Sequence, residues 1–240
     1  MKYLIKKILT QIYRLNCLIK SIFHFISPMD SKLSLKLEEK LINETADYFF
    51  EHINQSVIFD EIIKIREYSI KTSLLNDKNK EYYYLEFGVS TGESANFFSN
   101  FLKKLYVFDS FEGLKEDWGG TPWPKGAFNL NKKPPNLNSN IEPVIGWVEN
   151  SLSDFLKNHS PKINFVHIDL DTYNSTKFIL EKIKPYLVNN CIFIFDEFYN
   201  YHGWKFGEYK AFKEIFNKDG FKYKAFNIRN TQCVVQIIKQ

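Results

Sequence analysis

Apolar residues in this chain recur first at helical spacing and later in short unbroken runs, and the change falls near residue 82. Leu4, Ile8, Ile12, Leu15, Ile19, Ile22 and Ile26 form one stripe, with Lys6, Thr10, Arg14, Cys17, Ser21 and His24 opposite. That pattern predicts an amphipathic basic helix, ended by Ser27-Pro28. Two more helices are expected over 31–54 and 58–75, followed by a polar turn at Asn76-Asp77-Lys78-Asn79-Lys80. Strands and helices then alternate: strands at 82–89, 105–109, 143–148, 164–170 and 191–196, helices at 92–103, 151–158, 175–186 and 208–218. A hairpin, 221–228 and 232–239, turns across Arg229-Asn230-Thr231. The strand runs are apolar throughout, as parallel strands covered on both faces must be. The order predicts an α/β, Rossmann-like fold: a mainly parallel sheet with one antiparallel strand from the C-terminal hairpin, plus N-terminal helices.

Two of the strand runs end in acid. Phe165-Val166-His167-Ile168 leads into Asp169-Leu170-Asp171, and Cys191-Ile192-Phe193-Ile194-Phe195 into Asp196-Glu197. Open α/β sheets bind ligands outside the carboxyl ends of their strands. Four carboxylates meeting there repel one another unless protons or a cation compensate, which points to a hard divalent metal. Residues 113–140, with Pro122, Pro124, Pro134 and Pro135, are too long for a neutral connector and read as a lid or substrate wall.

Composition narrows the function classes. Hydrophobic content of 44% over 240 residues supports one large α/β domain with an appendage. The net charge of +4 lies in residues 1–30, where Lys2, Lys6, Lys7, Arg14 and Lys20 face only Asp30. The rest is neutral, which argues against nucleic-acid binding. Arg14 and Lys20 interrupt the first helix short of a membrane span. Residues 1–26 are therefore expected at an anionic membrane surface, or packed on their own domain, or in a homodimer contact. Cys17, Cys191 and Cys233 are scattered, with no CxxC, so neither a disulfide nor a zinc site is expected, and the cytoplasm, including the inner face of its membrane, is the natural compartment.

The first strand of the alternating region ends in Glu86-Phe87-Gly88-Val89-Ser90-Thr91-Gly92-Glu93-Ser94. Gly88 and Gly92 allow a sharp turn and close approach to a ligand. The spacing is GxxxG, unlike a dinucleotide site, and no GK[ST] follows, which excludes a P-loop. Asp109 ends the next strand, where an acid accepts hydrogen bonds from ribose. Glu86 would repel phosphates but suits the sulfonium and amino groups of S-adenosylmethionine.

On these pieces the chain resembles the class I S-adenosylmethionine-dependent methyltransferases, and more narrowly the macrocin/mycinamicin O-methyltransferase (TylF-like) family, which acts on sugar hydroxyls. The matching segments are Leu85-Glu86-Phe87-Gly88-Val89, Phe108-Asp109-Ser110-Phe111-Glu112-Gly113-Leu114, Ile145-Gly146-Trp147-Val148-Glu149, His167 through Thr176, and Phe195-Asp196-Glu197. The resemblance implies a seven-stranded sheet, bound S-adenosylmethionine and Mg²⁺. It divides the chain into an amphipathic helix (1–30), a helical extension (31–80) and a methyltransferase domain (81–240). Carried over by position, Glu86, Gly88, Thr91 and Gly92 would line the methionine side of the cofactor. Asp109, Ser110 and Phe111 would hold the ribose, and Gly146 and Trp147 the adenine. Asp169, which also borders the cofactor, would ligate metal with Asp196 and Glu197. Asp171 would be the base. The family usually has Asp where this chain has Glu197.

The implied chemistry is methyl transfer to a hydroxyl of a sugar or glycoconjugate, such as those of polysaccharide biosynthesis. A sugar hydroxyl needs a positioned base and a metal to lose its proton at neutral pH. His202 reads equally as a second base, a substrate contact or a plain loop residue, and His167 as core. Two alternatives remain at this stage: a phenolic or other small hydroxyl acceptor, and a non-catalytic membrane-associated binding subunit on the same fold.

Overall fold

The computed structural model describes residues 31–216 and 220–239. The expected basic helix at 1–26 lies outside the described residues. The chain divides into two compact units, Met1–Asp47 and Tyr48–Gln240, and the division falls inside helix α1 (Ser31–Asn54). Among the described residues of the first unit, Leu33, Leu35, Leu37 and Ile42 are exposed. No described helix is long and apolar enough to cross a membrane.

The second unit is built on one eight-stranded sheet. In chain order the strands are β1 (Val57–Phe59), β2 (Tyr83–Phe87), β3 (Leu105–Asp109), β4 (Ile141–Ile145), β5 (Ile163–Ile168), β6 (Leu187–Phe195), β7 (Phe221–Asn227) and β8 (Cys233–Ile237). Across the sheet they run β1-β7-β8-β6-β5-β2-β3-β4. Only β8 is antiparallel to its neighbours, β6 and β7. Helices α2 (Ile62–Leu74), α3 (Glu93–Ser99), α4 (Val148–His159), α5 (Tyr173–Ile183) and α6 (Glu208–Ile215) make the connections. This is the Rossmann-like, mainly parallel sheet with a C-terminal hairpin that the strand–helix alternation predicts. Among the described residues there are eight strands rather than seven, because Val57-Ile58-Phe59 pairs parallel with Ala225-Phe226-Asn227. Helix α2 accordingly begins at Ile62, not at 58.

The chain order reverses direction across the sheet between β2 and β5: β3 and β4 lie on one side of β2, β5 and β6 on the other. Such a switch point opens a crevice at the carboxyl ends of the strands. The strands flanking it are buried without break: Leu85 through Phe87, Ile163 through Ile168, and Cys191 through Phe195. A second core, aromatic, forms beside the hairpin. Phe49 on α1 is fully buried, with ring centroids 5.2 Å from Tyr199, 5.3 Å from Trp204 and 5.6 Å from Phe226. Each such ring taken from water stabilises the fold by roughly 1.5–3 kcal/mol. This block supports the 198–207 segment that closes one side of the crevice.

Candidate active site

At the end of β2 the chain turns through two left-handed glycines, Gly88 (φ +87°) and Gly92 (φ +80°). Gly88 is required by proximity as well as by φ, since a Cβ there would stand 1.7 Å from the Asp169 carbonyl oxygen. Asp109 holds the turn from β3: its Oδ2 accepts the N–H groups of Val89 (2.8 Å) and Ser90 (3.0 Å), and its Oδ1 accepts that of Phe111 (2.7 Å). A cleft of about 270 Å³ opens here, lined by Gly88, Ser90, Asp109, Gly146, Trp147 and Asp169 among others.

The two acidic strand ends converge on the floor of this cleft. Asp169, Asp171 and Glu197 each offer an oxygen within 4.8 Å of the others, and His167, Asp169 and Asp196 form a second such group. Burial, then repulsion from Asp196, pushes the Asp169 carboxyl well above its ordinary range. The same causes raise Glu197. Burial, then Asp196 and Asp109, pushes Asp171 up to about 7. Asp171 also sits in the left-handed region at φ +64°, a strained backbone for a non-glycine residue and one typical of functional positions.

Asp196 is the exception among these acids. Burial opposes its charge, but His167 and Arg66 outweigh that and hold its carboxyl below the ordinary value. His167 is fully buried, with Nδ1 3.3 Å from Glu86 Oε1 and Nε2 3.6 Å from Asp196 Oδ1. Burial disfavours its charge, yet Asp196 and Glu86 prevail and raise it to about 10. Arg66, from α2, completes the chain at 3.6 Å from Asp196. His167 is thus a core residue, as expected, and also the centre of a buried cluster of charged side chains.

The 113–140 segment covers the cleft and is tied down on both sides. Lys115 Nζ stands 2.8 Å from Glu149 Oε2 and 4.8 Å from the Trp147 ring centroid. The next residue, Glu116, accepts a hydrogen bond from Asn174 Nδ2 at 2.8 Å. Gly119 and Gly120 lie against His202 and Gly203 so closely that a Cβ at 120 would stand 1.7 Å from the His202 carbonyl oxygen. The Trp118 and Tyr201 rings meet edge-on at 5.8 Å. Under this roof lies a second cavity of about 250 Å³, which shares Trp118, Asp171 and Thr172 with the first. Glu116, Tyr173 and Tyr201 also line it.

Of the residues expected at the site, Gly88, Asp109, Ser110, Gly146, Trp147, Asp169, Asp171 and Glu197 line the cleft. Glu86 lies behind it, fully buried, where it accepts a hydrogen bond from Ser94 Oγ at 2.5 Å. Gly92 packs toward Leu137 and Pro135, Thr91 is exposed, and Phe111 is buried in the loop after β3. Asp196 joins His167, and His202 meets the lid through its backbone. Sequence reading missed Arg66 and Glu208. Glu208 is fully buried at the first turn of α6, and its two oxygens accept the N–H groups of Leu170 (3.2 Å) and Glu197 (3.3 Å).

The donor set fits a hard cation. Asp169, Asp171 and Glu197 are all carboxylates, and Glu197 Oε2 is buried without a hydrogen-bond partner. Asp169, Asp171 and Glu197 lie close enough to share one ion, whereas Asp196 already has two cationic neighbours.

Residues 85–198 match the family model described as a methyltransferase domain. No curated protein sequence matches the chain significantly. Among solved structures, CalS11, a calicheamicin methyltransferase, is similar with a TM-score of 0.60 at 20% identity, covering 88% of this chain and 93% of that one. An apo structure of CalS11, described as a TDP-rhamnose 3'-O-methyltransferase, gives 0.53 at 18% identity, with 88% and 95% covered. The O-methyltransferase NovP gives 0.56 at 16% identity, with 74% and 79% covered. At these identities the likeness establishes the fold. The chain has the Rossmann-like fold of these structures, and residues 85–198 within it match a methyltransferase domain.

Proposed function

We propose that the protein is an S-adenosylmethionine-dependent O-methyltransferase that acts, with a divalent cation such as Mg²⁺, on a hydroxyl of a sugar or glycoconjugate. The observation that carries this reading is the place of Asp171. It is a buried, strained carboxylate on the boundary between two cavities, beside Asp169 and Glu197. The glycine-turn cleft suits the cofactor, and the roofed cavity suits the acceptor. Motif resemblance to the macrocin/mycinamicin O-methyltransferases and structural likeness to two O-methyltransferases, one described as acting on TDP-rhamnose, support the choice of a sugar. The acceptor cavity combines aromatic faces (Trp118, Tyr173, Tyr201) with carboxylates (Glu116, Asp171) that can accept sugar hydroxyls.

When bound, S-adenosylmethionine supplies a methyl group on a sulfonium, whose carbon–sulfur bond breaks as the bond to the acceptor oxygen forms. A cation held by Asp169, Asp171 and Glu197 would acidify the acceptor hydroxyl. Gly88 through Ser90 would border the methionine moiety, Asp109 the ribose, and Gly146 and Trp147 the adenine. Asp171 would take the hydroxyl proton onto the carboxylate oxygen not bound to the cation. Trp118 and Tyr201 exclude water and orient the acceptor for in-line attack.

Calorimetric titration of S-adenosylmethionine, with Mg²⁺ and with EDTA, tests the reading. Saturable one-site binding supports it and opens a screen of glycoside acceptors. No binding in either buffer removes the cofactor and the mechanism with it.

A further inference from the structure

We propose that Glu208 is a positioning residue: it ties the ends of β5 and β6 to the first turn of α6 and thereby sets the spacing of Asp169, Asp171 and Glu197. The inference rests on the methyltransferase reading of the same cleft. The last ladder hydrogen bonds before the chain leaves these strands are Asp169 N–H to the Phe87 carbonyl (2.8 Å) and Asp196 N–H to the Ile168 carbonyl (2.9 Å). The following donors, Leu170 N–H and Glu197 N–H, go instead to the two oxygens of one carboxylate, Glu208. Leu170 sits between Asp169 and Asp171, and Glu197 is itself the third acid. A single side chain therefore fixes the backbone of all three.

Glu208 holds this place against its surroundings. The carboxylate is fully buried and suffers repulsion from Asp169, Asp171 and Asp196. The local fold brings it in nonetheless. Gly207, just before it, leaves room for the Tyr201 hydroxyl, which would stand 2.3 Å from a Cβ at 207.

Glu208→Gln keeps the shape and one acceptor but turns the other oxygen into a donor, so one of the two N–H groups loses its partner. Amide hydrogen exchange, Mn²⁺ titration, S-adenosylmethionine titration and thermal unfolding of the full chain read the effect. Exchange at Leu170 or Glu197 should speed about tenfold or more while Val166 and Phe193 keep their rates. Mn²⁺ affinity should fall about 10- to 100-fold, as for other groups that orient metal ligands. Cofactor affinity should stay within about twofold, and Tm should fall by no more than about 10 °C, the cost of one unpaired buried N–H. Unchanged exchange together with unchanged Mn²⁺ affinity overturns the proposal, as does a larger fall in Tm with exchange accelerated everywhere. If Glu208→Gln does not fold, the wild-type chain decides: Leu170 and Glu197 amides exchanging as freely as unstructured ones would refute it. Failure of wild type to bind Mn²⁺ would strike the cation reading instead, and the exchange rates would still judge Glu208.

Discussion

Gly88 and Asp169 meet backbone to backbone, with 1.7 Å between the Asp169 carbonyl oxygen and the place a Cβ would occupy on residue 88. This approach is how the sheet brings its glycine turn and its first acid into one crevice. Neither residue's side chain makes the contact, so glycine is the only residue that permits it.

Gly88→Ala should therefore separate the ends of β2 and β5. The left-handed φ alone costs about 1–2 kcal/mol for a residue with a Cβ, and the clash adds to it. Gly126→Ala isolates the first term, because Gly126 has φ +84° and open space around its Cβ position. Thermal unfolding should rank Gly88→Ala well below Gly126→Ala, and calorimetry should find cofactor binding lost only in the former. Equal effects would mean that strain, not closeness, governs residue 88.

Asp171→Asn should reduce turnover about 10²- to 10⁴-fold, the usual contribution of a positioned base, with cofactor affinity preserved. Burial and the neighbouring acids lift Asp171 to about 7. The base form then dominates only above that pH, and kcat/KM for the acceptor should climb with pH until about 7. A bound cation favours the carboxylate and shifts the climb to lower pH. A flat profile in the wild type, or an active Asp171→Asn, would remove Asp171 from the proton transfer.

The raised acids also set the sign of the pH dependence of stability. Asp171 binds its proton more tightly folded than unfolded, so between about 4 and about 7 the native state holds more protons and stability falls as pH rises. His167, raised to about 10, stabilises fully below about 6.5, and that contribution is lost as pH rises toward 10. Asp196, lowered, acts with the opposite sign only below about 4. Tm should thus decline from pH 5 to pH 9, and Mg²⁺ should raise it more at pH 8 than at pH 5. A Tm that increases over this range would contradict the buried, mutually repelling cluster.

The parts of this site that were legible in the sequence are those whose signal is local. Phe165–Asp171 and Cys191–Glu197 announce themselves because a doubly covered parallel strand must be apolar throughout, so a carboxylate ends it visibly. Val57-Ile58-Phe59 was hidden between two helices, and its strand character comes from β7, some 170 residues away in the chain. Glu208 reads locally as an ordinary acid at a helix start. Its burial and the N–H groups it takes are supplied by β5 and β6. Glu86 was placed beside the cofactor from its position in the glycine segment, but its side chain turns to Ser94 and His167. Arg66 belongs to a helix with no motif, and only packing shows it beside Asp196.

The lid should prove separable into a cofactor side and an acceptor side, because different residues tie it to each. On the acceptor side the tie is steric and close: Gly120→Ala would drive a Cβ into the His202 carbonyl at 1.7 Å and lift the roof from Tyr201 and Trp118. On the cofactor side the tie is the Lys115–Glu149 pair, with side chains 39% and 31% exposed. Pairs so open to solvent contribute only about 0–1 kcal/mol, and the Lys115 stack on Trp147 adds about 0.5–1 kcal/mol more. Lys115→Met should therefore weaken cofactor binding by no more than about 30-fold and leave the acceptor KM unchanged, since the two contributions reach at most about 2 kcal/mol and 1.4 kcal/mol is a factor of ten. Gly120→Ala should do the reverse, raising the acceptor KM about tenfold or more with cofactor affinity intact. If either substitution moves both constants together, the lid closes as a single body and the two cavities are not independently roofed.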